Sequence, residues 1–478
     1  MKVSKKLYGK VFEYLVAMLL LSSIFLSYHY RIFALTGKSF SICFLILLTL
    51  GTFFLMTFGL YKLKGLLFQK INLFAISILI ALPRLLWVFL MPTKPVSDYF
   101  CFYSYASKAS RGLFHAYDKT FVLFRFRFGY SLILASVFKI FGSSVLVAKL
   151  FNVFLSVILG IIIFYTVNYL FGKDAAFYSI ILFAFWPSQI MYNSVLASEH
   201  PFIVFFMLGL YFIIKGIKEE KINFALLGGF FIAISNHIRP VGVLVIIACL
   251  VWAVVCGLNR NLTAIKLALS SLGAYIAAFY TIGYLIFCLT NVPVWQTSMG
   301  LNLMIGTDYT TYGMNNRKHS LFVEKFGYDF KKMHQEAMKI GIQRLKKQPD
   351  KFLSIIPRKI SIIWGDDSFG YFWSTFKVYK NTWFVKFVKS HPTIFYILSQ
   401  LYYYTILLYI VFASVFRKKN SNDEVILLTS LIFLGYVAAH IFLEVQPRYH
   451  YPAIFTLFLL SGMGAEALKK KLKKDLKI

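Results

Sequence analysis

Long apolar segments separated by short polar ones dominate the chain. Segments 40–61, 145–170 and 264–290 are nearly uncharged, and runs of roughly 20 residues suffice to cross a hydrocarbon core about 30 Å thick as helices. Each must be helical, because lipid offers backbone groups no other partner. The predicted fold class is all-α, a polytopic transmembrane helix bundle. Hydropathy predicts about twelve spans, at 11–30, 40–61, 71–91, 145–170, 175–195, 200–216, 222–236, 240–258, 264–290, 393–416, 424–443 and 450–467.

Two long segments, 92–130 and 291–392, remain between the predicted spans and fall on the same side of the membrane. Helical periodicity at Tyr99–Leu113 and Tyr328–Leu345 predicts amphipathic helices that lie on the membrane surface. The second segment carries 16 Lys and Arg against 7 Asp and Glu. Long translocated loops are largely exempt from the positive-inside rule, so we expect both segments to be extracytoplasmic.

Basic residues collect at the opposite ends of the predicted spans, which indicates that this side is the cytoplasm. The first apolar run, 11–30, is too long for a signal peptide and lacks a small-residue cleavage pattern, so we expect a retained span. The basic clusters are Lys2/Lys5/Lys6/Lys10, Lys62/Lys64/Lys70, Lys218/Lys221, Arg417/Lys418/Lys419 and Lys469–Lys477.

Composition agrees with a membrane protein. Hydrophobic residues make up 59% of the chain and charged residues 15%, against roughly 25% charged in soluble domains. The net charge of +32 lies at span ends and in one loop, so anionic membrane lipids are the expected partners and nucleic acid is not. Five scattered cysteines form no zinc or disulfide pattern.

Acidic residues are scarce, and three of them fall where a predicted span meets the outer surface: Asp98, Glu199 and Glu444. Ionisable groups near the membrane are costly and therefore suggest function, although a solvated acid at a loop end is the alternative. Asp98 closely follows the third span. A carboxylate there can accept a proton from an acceptor hydroxyl at the membrane surface.

Three arginines form a complementary set: Arg84 inside the third span, Arg239 before Pro240, and Arg448 in Gln446-Pro-Arg-Tyr-His-Tyr-Pro452. A guanidinium fork can hold a phosphate bidentately, and the proline after Arg239 is expected to start the next helix. Anchoring of span ends in the head-group layer is the alternative for each arginine. A bound phosphate beside a general base suggests group transfer from a phosphorylated lipid.

The order of these features resembles the GT-C superfamily, specifically glycosyltransferase family 39, the branch with protein O-mannosyltransferases and the lipid A aminoarabinose transferase. The resemblance runs from about residue 71 to 467. The matching pieces are Ser97-Asp98-Tyr99 with Tyr105-Ala106, Phe128-Gly-Tyr130, Ile140-Phe-Gly142, Trp186-Pro-Ser-Gln189, Leu196-Ala-Ser-Glu199, Arg239-Pro240, Gly300-Leu-Asn-Leu-Met-Ile-Gly306 and Gln446-Pro-Arg-Tyr449 with Pro452.

This resemblance implies that Asp98 is the catalytic base. It further implies a donor-phosphate site formed by Arg239, Arg448, Tyr449, His450 and Arg84, with Glu199, Tyr99 and Tyr105 as acceptor-binding or supporting residues. No cofactor is required, and a divalent metal on Asp98 and Glu199 is left open. The chain departs from the family by two additional helices in 1–70 before the core at 71–467 and the basic cytoplasmic tail at 468–478. It also has a single acid, Asp98, where protein mannosyltransferases usually pair an Asp with a Glu, which weighs against a protein acceptor.

The expected activity is sugar transfer from a polyprenyl-phosphate donor to an acceptor hydroxyl with inversion, at the outer face of a bacterial plasma membrane. Glycan, lipid and protein acceptors all remain open. A flippase or transporter for lipid-linked sugars is an alternative, although the repeated halves typical of transporters are not evident in the sequence. An arginine-rich polysaccharide polymerase is a further alternative, and it would depend less on one acid.

Overall fold

The computed structural model describes residues 5–30, 42–67, 72–257, 261–296, 298–327, 329–416 and 422–475. These ranges are helical almost throughout and contain no β-strand, apart from an isolated antiparallel bridge between Thr93 and Val378. The all-α prediction is therefore confirmed. The helices are α1 (Lys5–His29), α2 (Ile42–Leu67), α3 (Leu73–Leu90), α4 (Ser97–Ala109), α5 (Thr120–Leu123), α6 (Arg127–Phe141), α7 (Val145–Phe171), α8 (Lys173–Ala184), α9 (Pro187–Tyr192), α10 (Glu199–Glu219), α11 (Ile222–Ile238), α12 (Val243–Gly257), α13 (Leu262–Thr290), α14 (Met299–Gly306), α15 (Arg317–Lys325), α16 (Phe330–Lys347), α17 (Pro349–Trp364), α18 (Phe369–Phe376), α19 (Trp383–Ser390), α20 (Pro392–Phe416), α21 (Asp423–Phe442) and α22 (His450–Asp475), with a 3₁₀ turn at Pro447–Tyr449.

In the described ranges, 9 helices are long and apolar enough to cross a membrane: α1, α2, α3, α7, α10, α13, α20, α21 and α22. Helices α11 and α12 are apolar but shorter. Helices α10, α11 and α13 pack side by side, and α22 packs against α8 and α20. A multi-pass membrane protein is thus confirmed, while the count of twelve spans and the division at residue 70 stay predictions.

Contacts between helix ends define two opposite ends of the bundle. At one end, Lys64 pairs with Asp174, and Lys10 Nζ lies 3.3 Å from the Ser414 carbonyl oxygen. At the other end, Arg239 pairs with Glu199 at 2.8 Å. Both long segments, 92–130 and 291–392, reach this second end. The basic residues Lys2, Lys70, Arg417, Lys418, Lys419 and Lys477 lie outside the described residues, and which end faces outward stays a prediction.

The predicted span at 175–195 is wrong as a single helix. Helix α8 ends at Ala184, and Pro187 begins the short α9 after a break. Proline has no amide hydrogen to continue a helix, which explains the break. The carbonyls left unpaired at the end of α8 are satisfied from the side by Arg84.

Both predicted amphipathic helices form, as α4 and α16, although Tyr328 lies outside the described residues. The buried residues of α16, Met333, Ala337 and Gly341, turn toward the protein, where α16 packs against α14. The apolar face of α16 is therefore covered by protein, and its position relative to the membrane surface stays a prediction.

Helix α6 begins inside the predicted outer loop and contacts α11 at Gly129. A Cβ atom at Gly129 would lie 2.2 Å from the His237 carbonyl oxygen. Only a glycine permits this approach without a shift of one backbone. The contact brings Arg127, two residues before the glycine, toward Arg239, two residues after the histidine.

Candidate active site

A cavity of about 350 Å³ opens at the end of the bundle where Arg239 meets Glu199. Its walls come from the segment around α4–α6, the turn after α11, helices α14 and α15, and the turn between α21 and α22. Charged and polar side chains from distant parts of the chain line it, among them Asp98, Arg127, Arg239, Glu444, Gln446, Arg448 and Tyr449.

Asp98 lies in the first turn of α4, where the helix dipole favours a negative charge. The preceding Ser97 has a φ of +50°, a left-handed conformation that costs free energy in a non-glycine residue and is often found at functional sites. The Asp98 Oδ1 atom accepts a hydrogen bond from Arg127 Nη2 at 2.6 Å. Its side chain is 39% exposed, so the carboxylate remains accessible from the cavity.

Arg448 connects the acidic residues of the site. Its Nη2 atom lies 3.9 Å from Asp98 Oδ2, and its Nε atom lies 3.7 Å from Glu199 Oε1. The same guanidinium donates to the Tyr99 hydroxyl and lies 5.6 Å from the centre of the Trp373 ring. Burial raises the pKa of Tyr99 to about 12, so its hydroxyl stays protonated at neutral pH.

Glu199 is buried behind the cavity wall at the start of α10. Arg239 Nη1 lies 2.8 Å from Glu199 Oε1 and 3.3 Å from the Ser198 hydroxyl. Because Glu199 contacts both Arg239 and Arg448, it fixes the spacing of the two guanidinium groups. Arg239 follows the last residue of α11, whereas α12 starts only at Val243. The expectation that Pro240 starts the next helix is wrong, and the pair instead lies in a turn.

Glu444 is a third acid of the cavity, in the turn before Arg448. Its carboxylate accepts a hydrogen bond from Gln446 Nε2 at 2.7 Å. Burial raises its pKa, while the hydrogen bond from Gln446 and the nearby Arg448 lower it. Lys359 supports this turn by donating to the carbonyls of Ile441 and Leu443 at 2.6 and 3.0 Å.

Five of the predicted site residues do not line the cavity. Tyr99 and Glu199 contact the lining residue Arg448, whereas Arg84, Tyr105 and His450 are bonded elsewhere. The Arg84 guanidinium donates to the Ile80, Phe183 and Ala184 carbonyls at 2.9 to 3.0 Å. These backbone bonds occupy the fork that was expected to hold a phosphate.

Tyr105 and His450 also face other partners. The Tyr105 hydroxyl donates to the Phe114 carbonyl at 2.8 Å. His450 Nε2 lies 3.2 Å from Asp367 Oδ1, and Asp367 also accepts from Trp186 Nε1 at 2.7 Å. This fully buried network includes His450, which follows Arg448 closely in sequence. It connects the loop before α18 to the start of α22 and to the break before α9.

The described residues contain no group of three or more His, Cys, Asp or Glu side chains placed to hold a metal ion. Asp98 and Glu199, the two acids considered for a metal, approach the same Arg448 guanidinium from two sides. This arrangement places a positive charge between the two carboxylates.

Sequence reasoning missed Arg127 and Trp373 and left the role of Glu444 open. An ion pair between residues 98 and 127 depends on how α4 and α6 pack, which no local pattern reports. One signal was present: Arg125 and Arg127 alternate with aromatic residues directly before the Phe128-Gly-Tyr130 motif. It marked a basic end of the first predicted outer loop.

Comparisons with known proteins relate one segment of the chain to a described family. Residues 128–290 match the family model described as "Dolichyl-phosphate-mannose-protein mannosyltransferase". No curated protein matches the chain. A solved structure, ArnT from Cupriavidus metallidurans bound to undecaprenyl phosphate, is similar at 10% identity and a TM-score of 0.37, covering 84% of this chain and 80% of that one. A likeness of this size carries no argument about this chain.

The matched region covers about a third of the chain and lies within its helical membrane fold. Residues 128–290 resemble the protein O-mannosyltransferases, so the predicted resemblance is confirmed for this segment. It includes Glu199 and Arg239, whereas Asp98 and Arg448 lie outside it.

Proposed function

We propose that this protein transfers a sugar from a polyprenyl-phosphate donor to an acceptor hydroxyl, with Asp98 as general base. One observation carries the proposal: the Asp98 carboxylate and the Arg448 guanidinium, 3.9 Å apart, both line one cavity at the helix ends. A substrate bound in this cavity can therefore contact both groups, with its acceptor hydroxyl at Asp98 and its donor phosphate at Arg448.

In the proposed reaction, the acceptor oxygen attacks the anomeric carbon of the donor sugar while its proton passes to Asp98. The bond between that carbon and the phosphate oxygen breaks, and the phosphate leaves with the electron pair. A single displacement of this kind inverts the anomeric configuration. The hydrogen bond from Arg127 to Oδ1 orients Asp98 and leaves Oδ2 as the oxygen that receives the proton.

Arg239 and Arg448 are the proposed phosphate-binding residues. Charge builds up on the leaving phosphate in the transition state, and preorganised cations stabilise it without having to rearrange. Glu199 contacts both arginines and thereby holds them ready. The Tyr449 ring, 5.5 Å from the Arg239 guanidinium, supports the same group by a cation–π contact.

The cavity lies at helix ends, where a lipid-anchored donor can present its head group while its chain remains in the membrane. The basic residues at the opposite end of the bundle support a cytoplasmic location for that end. The proposed site therefore faces the extracytoplasmic side, as expected for a cell-envelope enzyme, and the acceptor can be a glycan, a lipid or a protein.

Purified protein supplied with radiolabelled polyprenyl-phosphate sugars and a lipid and glycan extract tests this proposal. We expect label to leave the polyprenyl phosphate and to appear in acceptor material, with an inverted anomeric centre by NMR. Label that changes membrane leaflet but stays on the polyprenyl phosphate would instead identify a flippase.

A further inference from the structure

The outer segment 291–392 carries a strongly basic surface on α15 and α16. Between residues 317 and 347 the chain has nine Lys and Arg but only three Asp and Glu. The Lys318 and Lys332 side chains are 67% and 76% exposed, and they pair with Asp308 and Asp329 at 3.9 and 3.7 Å. We call this the α15–α16 basic surface, and its exposed members are Arg317, Lys318, Lys325, Lys331, Lys332, Lys339, Lys346 and Lys347.

This surface is joined directly to the cavity. The buried Asp308 carboxylate lies 3.2 Å from His319 Nε2 on α15 and 3.3 Å from Arg344 Nη2 on α16. His319 itself lines the cavity, as do Ser320 and Val323. A single acid therefore ties the basic helix to the cavity wall, and a molecule bound along α16 has the site within reach.

Three lysines of α16 repeat at a spacing of seven residues, at 332, 339 and 346. Seven residues make about two helical turns, so these lysines lie on one face at intervals of roughly 10 Å, and the row extends for about 21 Å. A single phosphate or carboxylate would meet only one of them. A row of this length is complementary to a chain with repeated negative charges.

A membrane surface is the less suitable partner for these charges. A helix that binds a lipid surface inserts its apolar face between head groups and acyl chains, but the apolar face of α16 is packed against α14. The charged side chains that remain are exposed beside an open cavity.

We infer that the α15–α16 basic surface binds an anionic glycan polymer and that this polymer is the acceptor. The inference rests on the proposed transferase function and specifies its acceptor class, a sugar chain with repeated phosphate or carboxylate groups. Electrostatic attraction along the row holds the polymer in register, and one of its hydroxyl groups enters the cavity toward Asp98. This role also explains why so much positive charge lies on the proposed outer side.

The inference is tested by binding, without turnover. Fluorescein-labelled dextran sulfate is titrated with purified protein in an uncharged detergent, and neutral dextran of the same length serves as the reference probe. We expect the variant K331Q/K332Q/K339Q/K346Q/K347Q to bind dextran sulfate at least about tenfold more weakly than wild type at low salt. Because counterions are released from a polyanion, its affinity should also depend less steeply on salt concentration.

A matched control removes five exposed lysines elsewhere in the outer segments, in K94Q/K377Q/K380Q/K386Q/K389Q. We expect this control to bind as wild type does. Equal losses in both quintuple variants, or no preference for dextran sulfate over dextran, would overturn the inference. The inference would also be overturned if short-chain phosphatidylglycerol, but not phosphatidylcholine, displaced the probe while wild type and the α16 variant bound dextran sulfate equally well. Failure of the transferase assay alone would refute the proposed function and leave the binding result intact.

Discussion

The Asp98 carboxylate accepts a 2.6 Å hydrogen bond from Arg127, a residue 29 positions further along the chain. Arg127 also donates to the Thr120 hydroxyl at 2.5 Å, so its side chain is held from two sides. One Asp98 oxygen is therefore occupied, while the other is directed toward Arg448. The two Asp98 oxygens therefore differ in environment, and the proposed proton acceptor is the oxygen that faces Arg448.

Asp98→Asn should lower turnover by at least about a hundredfold, the usual scale for loss of a general base. Asparagine is nearly isosteric and its side-chain oxygen can still accept from Arg127, so the fold should survive. Turnover is measured with saturating donor, and Asp118→Asn, an exposed acid in the same outer segment, serves as control. Near-normal activity of Asp98→Asn would remove Asp98 from the mechanism.

Arg239→Lys and Arg448→Lys should each weaken donor use while most of the fold remains. Lysine keeps the charge but loses the planar fork, and a single ammonium group in place of the Arg448 guanidinium could not contact Asp98, Glu199 and Tyr99 together. The expected result is a rise of roughly tenfold or more in the apparent KM for the donor. Arg111→Lys, at an exposed arginine outside the cavity lining, should behave like wild type. Unchanged donor KM in both site variants would indicate that these arginines only anchor helix ends.

Ser320→Cys should react with a membrane-impermeant thiol reagent added to intact cells. Ser320 is exposed on α15 and lines the cavity, so a cysteine there reports which side the site faces. The labelling is measured against the wild-type background. A cysteine in place of Lys221, at the opposite end of the bundle, should react only after the membrane is permeabilised, and the reverse pattern would overturn the orientation.

Stability should fall as the pH rises from about 4 to about 6, in part through Asp367. Burial raises the pKa of Asp367 from 3.8 to about 6, against hydrogen bonds from His450 and Trp186 that lower it. Between these two values the folded protein keeps a proton that the unfolded chain releases, so rising pH favours unfolding. Asp367→Asn should flatten this part of the curve of Tm against pH, whereas Asp350→Asn at the surface should not. An unaltered slope in Asp367→Asn would contradict this account.

The membrane helices were predictable because nearly uncharged apolar runs of about 20 residues are typical of transmembrane helices. Asp98, Arg239 and Arg448 were also accessible to sequence reasoning, since a charged residue at a span end is conspicuous in so apolar a chain. Their grouping was not, because it depends on packing between α4, α6, α10 and the turn before α22.

Arg84 shows what depends on packing. A buried arginine within an apolar helix suggested a phosphate partner, and the structure places its Nη1 and Nη2 atoms against the carbonyls of Ile80, Phe183 and Ala184. The break after α8 was itself missed, because Pro187-Ser-Gln189 interrupts the apolar run for only three residues. The sequence therefore shows that burying the Arg84 charge costs free energy, but not which groups offset that cost.

Gly129 does not line the cavity, yet it controls how close the two sides of the cavity lie. Its missing methyl group allows α6 to touch the His237 carbonyl, and any side chain would force a separation. Arg127 and Arg239 would then move apart, and with them the proposed base and the proposed phosphate site. An uncharged residue thus sets the distance between the proposed base and the proposed phosphate site. That distance can change without any change in the reacting groups themselves.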